Sequence, residues 1–134
     1  MHIHGSCHCG AITFTADVDP ERVVVCHCSD CQAMSGAPYR AIVRVPVAQF
    51  HLQGSPKAYV KTAQSGQRRA QVFCPDCGTP LYGSEAENPQ FVVIRLGCVA
   101  ERAQLPPRRQ IWTQSAMPWI HDLGDIPAFP QASS

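Results

Sequence analysis

Apolar and polar residues alternate along positions 11–18 (Ala-Ile-Thr-Phe-Thr-Ala-Asp-Val), which predicts a half-buried strand, because successive strand side chains face opposite sides of a sheet. Asp19-Pro20 then turns the chain into a short β-branched run, Val23-Val24-Val25. Residues 39–47 predict another strand, with Pro46 marking its end or an edge position. Residues 47–52 are compatible with either a helical turn or a loop. Two further strands are predicted at 57–62 and 69–73, around the turn-like Ser65-Gly66, the second running directly into Cys74. Residues 91–96 (Phe-Val-Val-Ile-Arg-Leu) form the most apolar run and predict the most buried strand. Residues 110–130 carry Trp112, Trp119, Phe129 and several prolines. They are expected to wrap over the body as an irregular segment with the aromatics as anchors.

Composition agrees with that pattern. In 134 residues the chain has 45% hydrophobic and 16% charged residues, enough for a core, and its twelve prolines and nine glycines favour turns over long helices. No linker, repeat or low-complexity stretch interrupts it, so one domain over 1–134 is expected, mainly β with short or no helices. The formal charge of +1 does not suit a nucleic-acid binder, and the pairs Arg68-Arg69 and Arg108-Arg109 read as solvated surface. The N-terminus has neither the basic start nor the apolar run of a secretory signal, and no stretch reaches the roughly 18 apolar residues of a membrane span. A cytoplasmic protein is expected, and there clustered cysteines mean metal or redox chemistry rather than structural disulfides. No pattern specifies an oligomeric state.

Seven of the eight cysteines lie in three clusters: Cys7-His8-Cys9, Cys26-His27-Cys28-Ser29-Asp30-Cys31 and Cys74-Pro75-Asp76-Cys77. Cysteines this close in sequence make poor disulfides with each other, but their thiolates can converge on a tetrahedral zinc. The two doublets, Cys7, Cys9, Cys74 and Cys77, supply four ligands and close one structural site. The triplet, Cys26, Cys28 and Cys31, supplies three and leaves a second zinc one ligand short, as a reactive zinc requires. Closing the first site would tie the N-terminus to mid-chain across 64 intervening residues. Seven thiolates and two zinc ions would take the formal charge from +1 to −2.

Together with Gly5-Ser6 ahead of the first cluster, Ser35-Gly36-Ala37-Pro38 after the second and Gly78-Thr79-Pro80-Leu81 after the third, these motifs resemble the glutathione-dependent formaldehyde-activating enzyme family. The tail from Ile111-Trp112 to Trp119-Ile120 is also similar, so the resemblance runs roughly from Gly5 to Pro130. It implies an Mss4-like β fold with two zincs, divided between the cysteines as ligand counting divides them. The implied reaction, of a carbon–sulfur lyase type, joins glutathione to formaldehyde as S-hydroxymethylglutathione. A different thiol or small aldehyde would be compatible, since ligation fixes the reacting centre and not the pocket. The family also includes centromere-associated proteins, so a zinc-stabilised interaction module without chemistry is the alternative.

One departure bears on the reading. Cys98, in Gly97-Cys98-Val99, stands where the family usually has a small hydroxyl residue. If its sulfur reached the triplet, both zincs would be closed; a lone cysteine on an apolar strand is expected instead to be a small buried hydrophobe. His8 and His27, between ligating cysteines, are expected to point away from the metal as solvated or supporting groups. Asp30 is expected to serve the turn, Trp112 and Trp119 to pack, and Arg40, Arg44, Arg69 and Arg95 to be surface or strand-face residues, none assigned to a ligand. Thiol redox chemistry through Cys74 and Cys77 would need a helix after the motif, and Gly78-Thr79-Pro80 breaks one.

Overall fold

Val23-Val24-Val25 and the runs 39–47 and 91–96 lie side by side in the middle of a sheet, as their β-branched, apolar character dictates. The computed structural model describes residues 1–132. Among them are ten strands: β1 (His2–Ser6), β2 (Thr13–Asp17), β3 (Val23–Cys26), β4 (Arg40–Pro46), β5 (Phe50–Gln53), β6 (Lys57–Thr62), β7 (Arg68–Phe73), β8 (Pro80–Glu85), β9 (Phe91–Arg95) and β10 (Arg109–Ile111). One helix of seven residues, α1 (Ser29–Ser35), joins β3 to β4. The mainly β expectation with short helices is what the structure shows. No helix among the described residues is long and apolar enough to cross a membrane.

The large sheet has the order β10-β3-β4-β9-β8-β7-β6, antiparallel except for the β10–β3 pair. A small antiparallel sheet, β1-β2-β5, packs over it. Register decides which residues share a face. Val23, Val43, Ile94, Tyr82 and Val72 are successive cross-strand partners and face the small sheet. There they meet Ile3, Phe14 and Ala16, and the Phe50 ring packs tilted against Phe14 and edge-on to Tyr82, with ring centroids 5.1 and 4.9 Å apart. Each fully buried Val, Leu or Ile in this layer contributes roughly 1.5–3 kcal/mol by leaving water. The opposite face carries Cys26, Arg40, Arg95, Gly83 and Gln71, and these build the site.

Several expectations were incomplete. Residues 47–52 resolve into a single 3₁₀ turn, Val47–Gln49, followed by β5, whose inward Phe50 and Leu52 are too short a run to show a period. Strands β1 and β8 were not anticipated, because Gly5, Gly83 and the leading Pro80 dilute their apolar pattern. Pro46 does end β4, but the strand lies inside the sheet between β3 and β9. The tail is a larger correction. β10 inside it pairs with β3, yet Trp112, Trp119 and Phe129 are 57%, 48% and 64% exposed, so these aromatics do not anchor it. Polar bonds hold its first part instead: the side chain of Gln32 donates to the carbonyls of His27 and Ser115 at 2.7 and 2.9 Å.

Candidate metal centres and the adjoining cavity

Each doublet of cysteines sits on a tight reversal at a strand end. Cys7 follows β1, and its carbonyl accepts from the amide of Gly10, whose φ of 81° suits a residue without a side chain. Cys74 follows β7 and is matched the same way by Gly78, at φ 78°. The amide of His8 donates to Thr79 Oγ1 at 3.0 Å and links the two reversals. The four sulfurs of Cys7, Cys9, Cys74 and Cys77 all lie within 4.8 Å of one another, Cys7 and Cys74 buried, Cys9 and Cys77 at the surface. The Cys7–Cys9 and Cys9–Cys74 separations are 3.6 and 3.8 Å. A tetrahedron of metal–sulfur bonds about 2.3 Å long has edges of about 3.8 Å, whereas a disulfide would need about 2.05 Å. The donor set and its spacing therefore fit a four-thiolate metal site. The Thr79 hydroxyl, 3.2 Å from its sulfur, is foremost in lowering the Cys77 pKa to about 5.

The triplet comes from one short segment. Cys26 ends β3, Cys28 caps the N-terminus of α1 and Cys31 lies in its first turn. The Cys28 sulfur accepts from the amide of Cys31 at 3.3 Å, the bond that an oxygen-bearing cap ordinarily makes. Gly36, at φ 66°, closes the other end of the helix, its amide donating to the carbonyl of Gln32. The three sulfurs lie within 4.8 Å of one another and so could also hold a metal. Burial foremost pushes the Cys26 thiol up to about 12. Burial also raises Cys28, but the Cys31 amide and the neighbouring sulfurs more than offset it and leave that thiol below its ordinary range.

No fourth His, Cys, Asp or Glu donor joins the triplet among the described residues. Cys98 in particular stays apart: its thiol donates to the carbonyl of Arg95 at 3.1 Å, and burial pushes it up to about 11. It is a partly buried neighbour of the core, as a small hydrophobe would be. His8 is exposed and His27 buried, and neither belongs to a donor group. The His27 ring meets Gln110 Oε1 through Nε2 at 2.7 Å and packs edge-on to Tyr39, so it braces β10 and is not solvated. Asp30 does more than serve its turn: its carboxylate pairs with Lys61 of β6.

The arginines divide. Arg44 lies over the Phe91 ring, 3.6 Å from its centroid, and Arg69 stands opposite Glu85, as strand-face residues do. Arg40 and Arg95 are both 7% exposed, which the sequence reading missed. Arg40 Nη2 points to the Cys31 sulfur at 3.4 Å, and its Nε has no partner. Arg95 Nη2 donates to Gln71 Oε1 at 2.6 Å, and burial, then repulsion from Arg40, lowers its pKa to about 9. The available signal was a charged residue in each of two strands whose pattern demanded burial. Two adjoining cavities of 190 and 310 Å³ share Arg40, Pro80 and Arg95 in their walls. A larger one of 420 Å³ lies beyond His27 and has neither of these arginines in its wall, whereas the two smaller ones are linked to the trio through Arg40, which bonds the Cys31 sulfur.

Comparison with known proteins places these features. The family model described as glutathione-dependent formaldehyde-activating enzyme matches residues 2–115. An uncharacterized lyase of Schizosaccharomyces pombe is 28% identical over 90 residues, covering 66% of this chain and 63% of that protein's length. The crystal structure of a Rhodobacter sphaeroides protein superposes with a TM-score of 0.61 at 16% identity, over 80% of this chain and 98% of that one; the likeness is one of fold.

Proposed function

The chain belongs to the glutathione-dependent formaldehyde-activating enzyme family, and we propose that it is a lyase-type enzyme of thiol–carbonyl adducts. In this reading Cys7, Cys9, Cys74 and Cys77 hold a structural zinc, while Cys26, Cys28 and Cys31 hold a second, catalytic one. A zinc bound by the trio would supply an acceptor for sulfur, keeping an incoming thiol ionised near neutral pH. The substrates are glutathione or another thiol, and formaldehyde or a small aldehyde. The sulfur–carbon bond forms as the carbonyl π bond opens, and the thiol proton ends on the new hydroxyl; the lyase direction reverses both changes.

The protein's own groups act around that event. The three thiolates offset more than the charge of a divalent ion, which disfavours making hydroxide from water and favours a soft fourth ligand. Arg40, donating to Cys31, draws electron density from that sulfur. Apolar walls from Met34, Phe73 and Pro80 limit water in the neighbouring cavity. The observation that carries the proposal is a three-sulfur group with no fourth protein donor among the described residues, one of its sulfurs bonded by an arginine that lines two cavities.

Metal analysis and a thiol titration test it. Purified protein is expected to hold two zinc ions per chain, and Cys28→Ser to hold one, with adduct formation abolished. In cobalt-substituted protein, glutathione is expected to alter the cobalt–sulfur absorption. A Cys28→Ser protein with both ions and full turnover would refute the proposal.

A further inference from the structure

Arg40 and Arg95 are buried guanidinium groups on the same sheet face, one on β4 and one on β9, and neither has a carboxylate partner among the described residues. That arrangement is costly. A buried charge is tolerated when paired or fully hydrogen-bonded, and is heavily penalised by lost hydration otherwise. Arg95 has only the neutral Gln71 side chain, and Arg40 has one sulfur and an Nε without any partner. Three thiolates and a divalent ion would sum to one negative charge, which balances one guanidinium and leaves the other in surplus. Gly83 beneath Arg95 has no side chain, and a Cβ there would stand 2.7 Å from Nη2, so the strand keeps this space open for the guanidinium.

We propose that Arg40 and Arg95 form a subsite for a carboxylate on the reacting partners, so that the enzyme selects substrates bearing a carboxylate a short apolar stem away from the reacting atom. The subsite rests on the reading of the trio as the reaction centre. Both guanidinium groups line the two cavities, so one anion can meet Arg40 and Arg95 together. Arg40 touches the Cys31 sulfur, which places that anion beside the trio. Met34, Tyr59, Phe73 and Pro80 supply the apolar wall that fits the stem. Guanidinium fits carboxylate with two parallel bonds, and exclusion of water strengthens them. The carboxylate can be carried by the thiol or by the carbonyl compound, and the two sources are separable.

The first measurement needs no metal-bound thiol. Propionate is titrated into zinc-loaded protein whose arginine side-chain Nε–H signals are followed by nuclear magnetic resonance. Arg40 and Arg95 are expected to shift and saturate, with Arg44 and Arg108 unmoved; no movement of Arg40 and Arg95 overturns the subsite. In the second, cobalt-substituted protein is titrated with 3-mercaptopropionate and with 2-mercaptoethanol. A preference of about tenfold or more for the acid is expected, falling to about twofold in Arg95→Gln. The cobalt absorption of the quartet reports whether that variant is folded, and Gln71→Leu, which leaves both charges, is expected to lower the preference part-way. Equal affinity for the two thiols alongside saturable propionate binding assigns the carboxylate to the carbonyl partner. Propionate binding with no spectral response to either thiol supports the subsite and refutes the thiol reading of the trio.

Discussion

The two sulfur clusters use one residue type for different ends. The quartet draws on two chain segments far apart in sequence, and its reversals are locked by backbone bonds at Gly10 and Gly78. The trio is contained in the turn from β3 into α1, so holding a metal there would close almost no extra chain. Among the described residues no arginine donates to a quartet sulfur, while Arg40 donates to Cys31 and Arg95 lies in the adjoining wall. On the proposed reading, four donors converging from distant segments make a brace, and three donors joined by Arg40 to two cavities make a place for a guest.

The sharpest way to break that contrast is the same substitution in each cluster. Cys74→Ser removes a fully buried sulfur of the quartet, a zinc ligand in the proposed reading. Apparent binding energies for structural zinc are roughly 10–16 kcal/mol in small peptides, and even about a third of that rivals the stability of a whole domain. The variant is therefore expected to lose the structural ion and to unfold at or below ordinary assay temperatures. Cys31→Ser is expected to lose the other ion and all thiol binding while shifting stability by about 1–2 kcal/mol. Thermal melts with parallel metal analysis decide it. If the two variants melt alike, the clusters do not divide into brace and reaction centre.

What the sequence revealed follows the same division. Cluster spacing needs no three-dimensional context, so both donor groups were legible, and so were the strands with β-branched or alternating runs. Unlike the cysteines, Arg40 and Arg95 sit far apart in sequence and look like ordinary strand-face residues. Only the pairing of β3 with β4 and of β4 with β9 brings them to one end of one face, Cys26 opposite Arg40 and Ile42 opposite Arg95. Strands β1 and β8 were hidden by glycines whose purpose is tertiary. A Cβ on Gly5 would fall 2.0 Å from the Phe14 ring, and one on Gly83 would meet Arg95, so the sequence gives up apolar pattern to admit a neighbour. The tail misled for the opposite reason, because its aromatics suggest burial and the backbone leaves them exposed.

Gly83→Ala sharpens the comparison on the trio's side alone. Replacing glycine within a strand ordinarily gains roughly 0.5–1 kcal/mol, but here the new Cβ displaces a buried guanidinium from its one hydrogen bond, so a net loss of about 1–2 kcal/mol is expected. Arg95 must move, losing its bond to Gln71 Oε1. Adduct formation is expected to weaken several-fold through KM for a carboxylate-bearing substrate, with quartet metal content unchanged. Kinetics on charged and neutral substrates measure this, and an equal effect on both would mean that Arg95 acts only as scaffold.

The smallest expected effect tests the quartet's side. Glu101 accepts from the backbone amide of His4 at 2.9 and 3.1 Å and meets its ring Nδ1 at 2.7 Å, clamping β1 a few residues before Cys7. Burial raises the Glu101 carboxyl, but the ring and amide of His4 more than offset it, and its pKa lies below the ordinary 4.5. A carboxylate with a lowered folded pKa stabilises the fold above the ordinary value and ceases to do so as pH falls through the folded one. Glu101→Gln is accordingly expected to lower the urea midpoint modestly at neutral pH, with the difference from the parent protein shrinking below about pH 4.5. Comparing the two proteins at each pH cancels acid loss of metal, which both share. A difference that stayed constant down to about pH 3 would show that the clamp acts through shape and not through charge. In that case acid sensitivity on this side of the molecule would rest on the quartet's sulfurs alone, which as the proposed metal ligands would have to release the ion to be protonated.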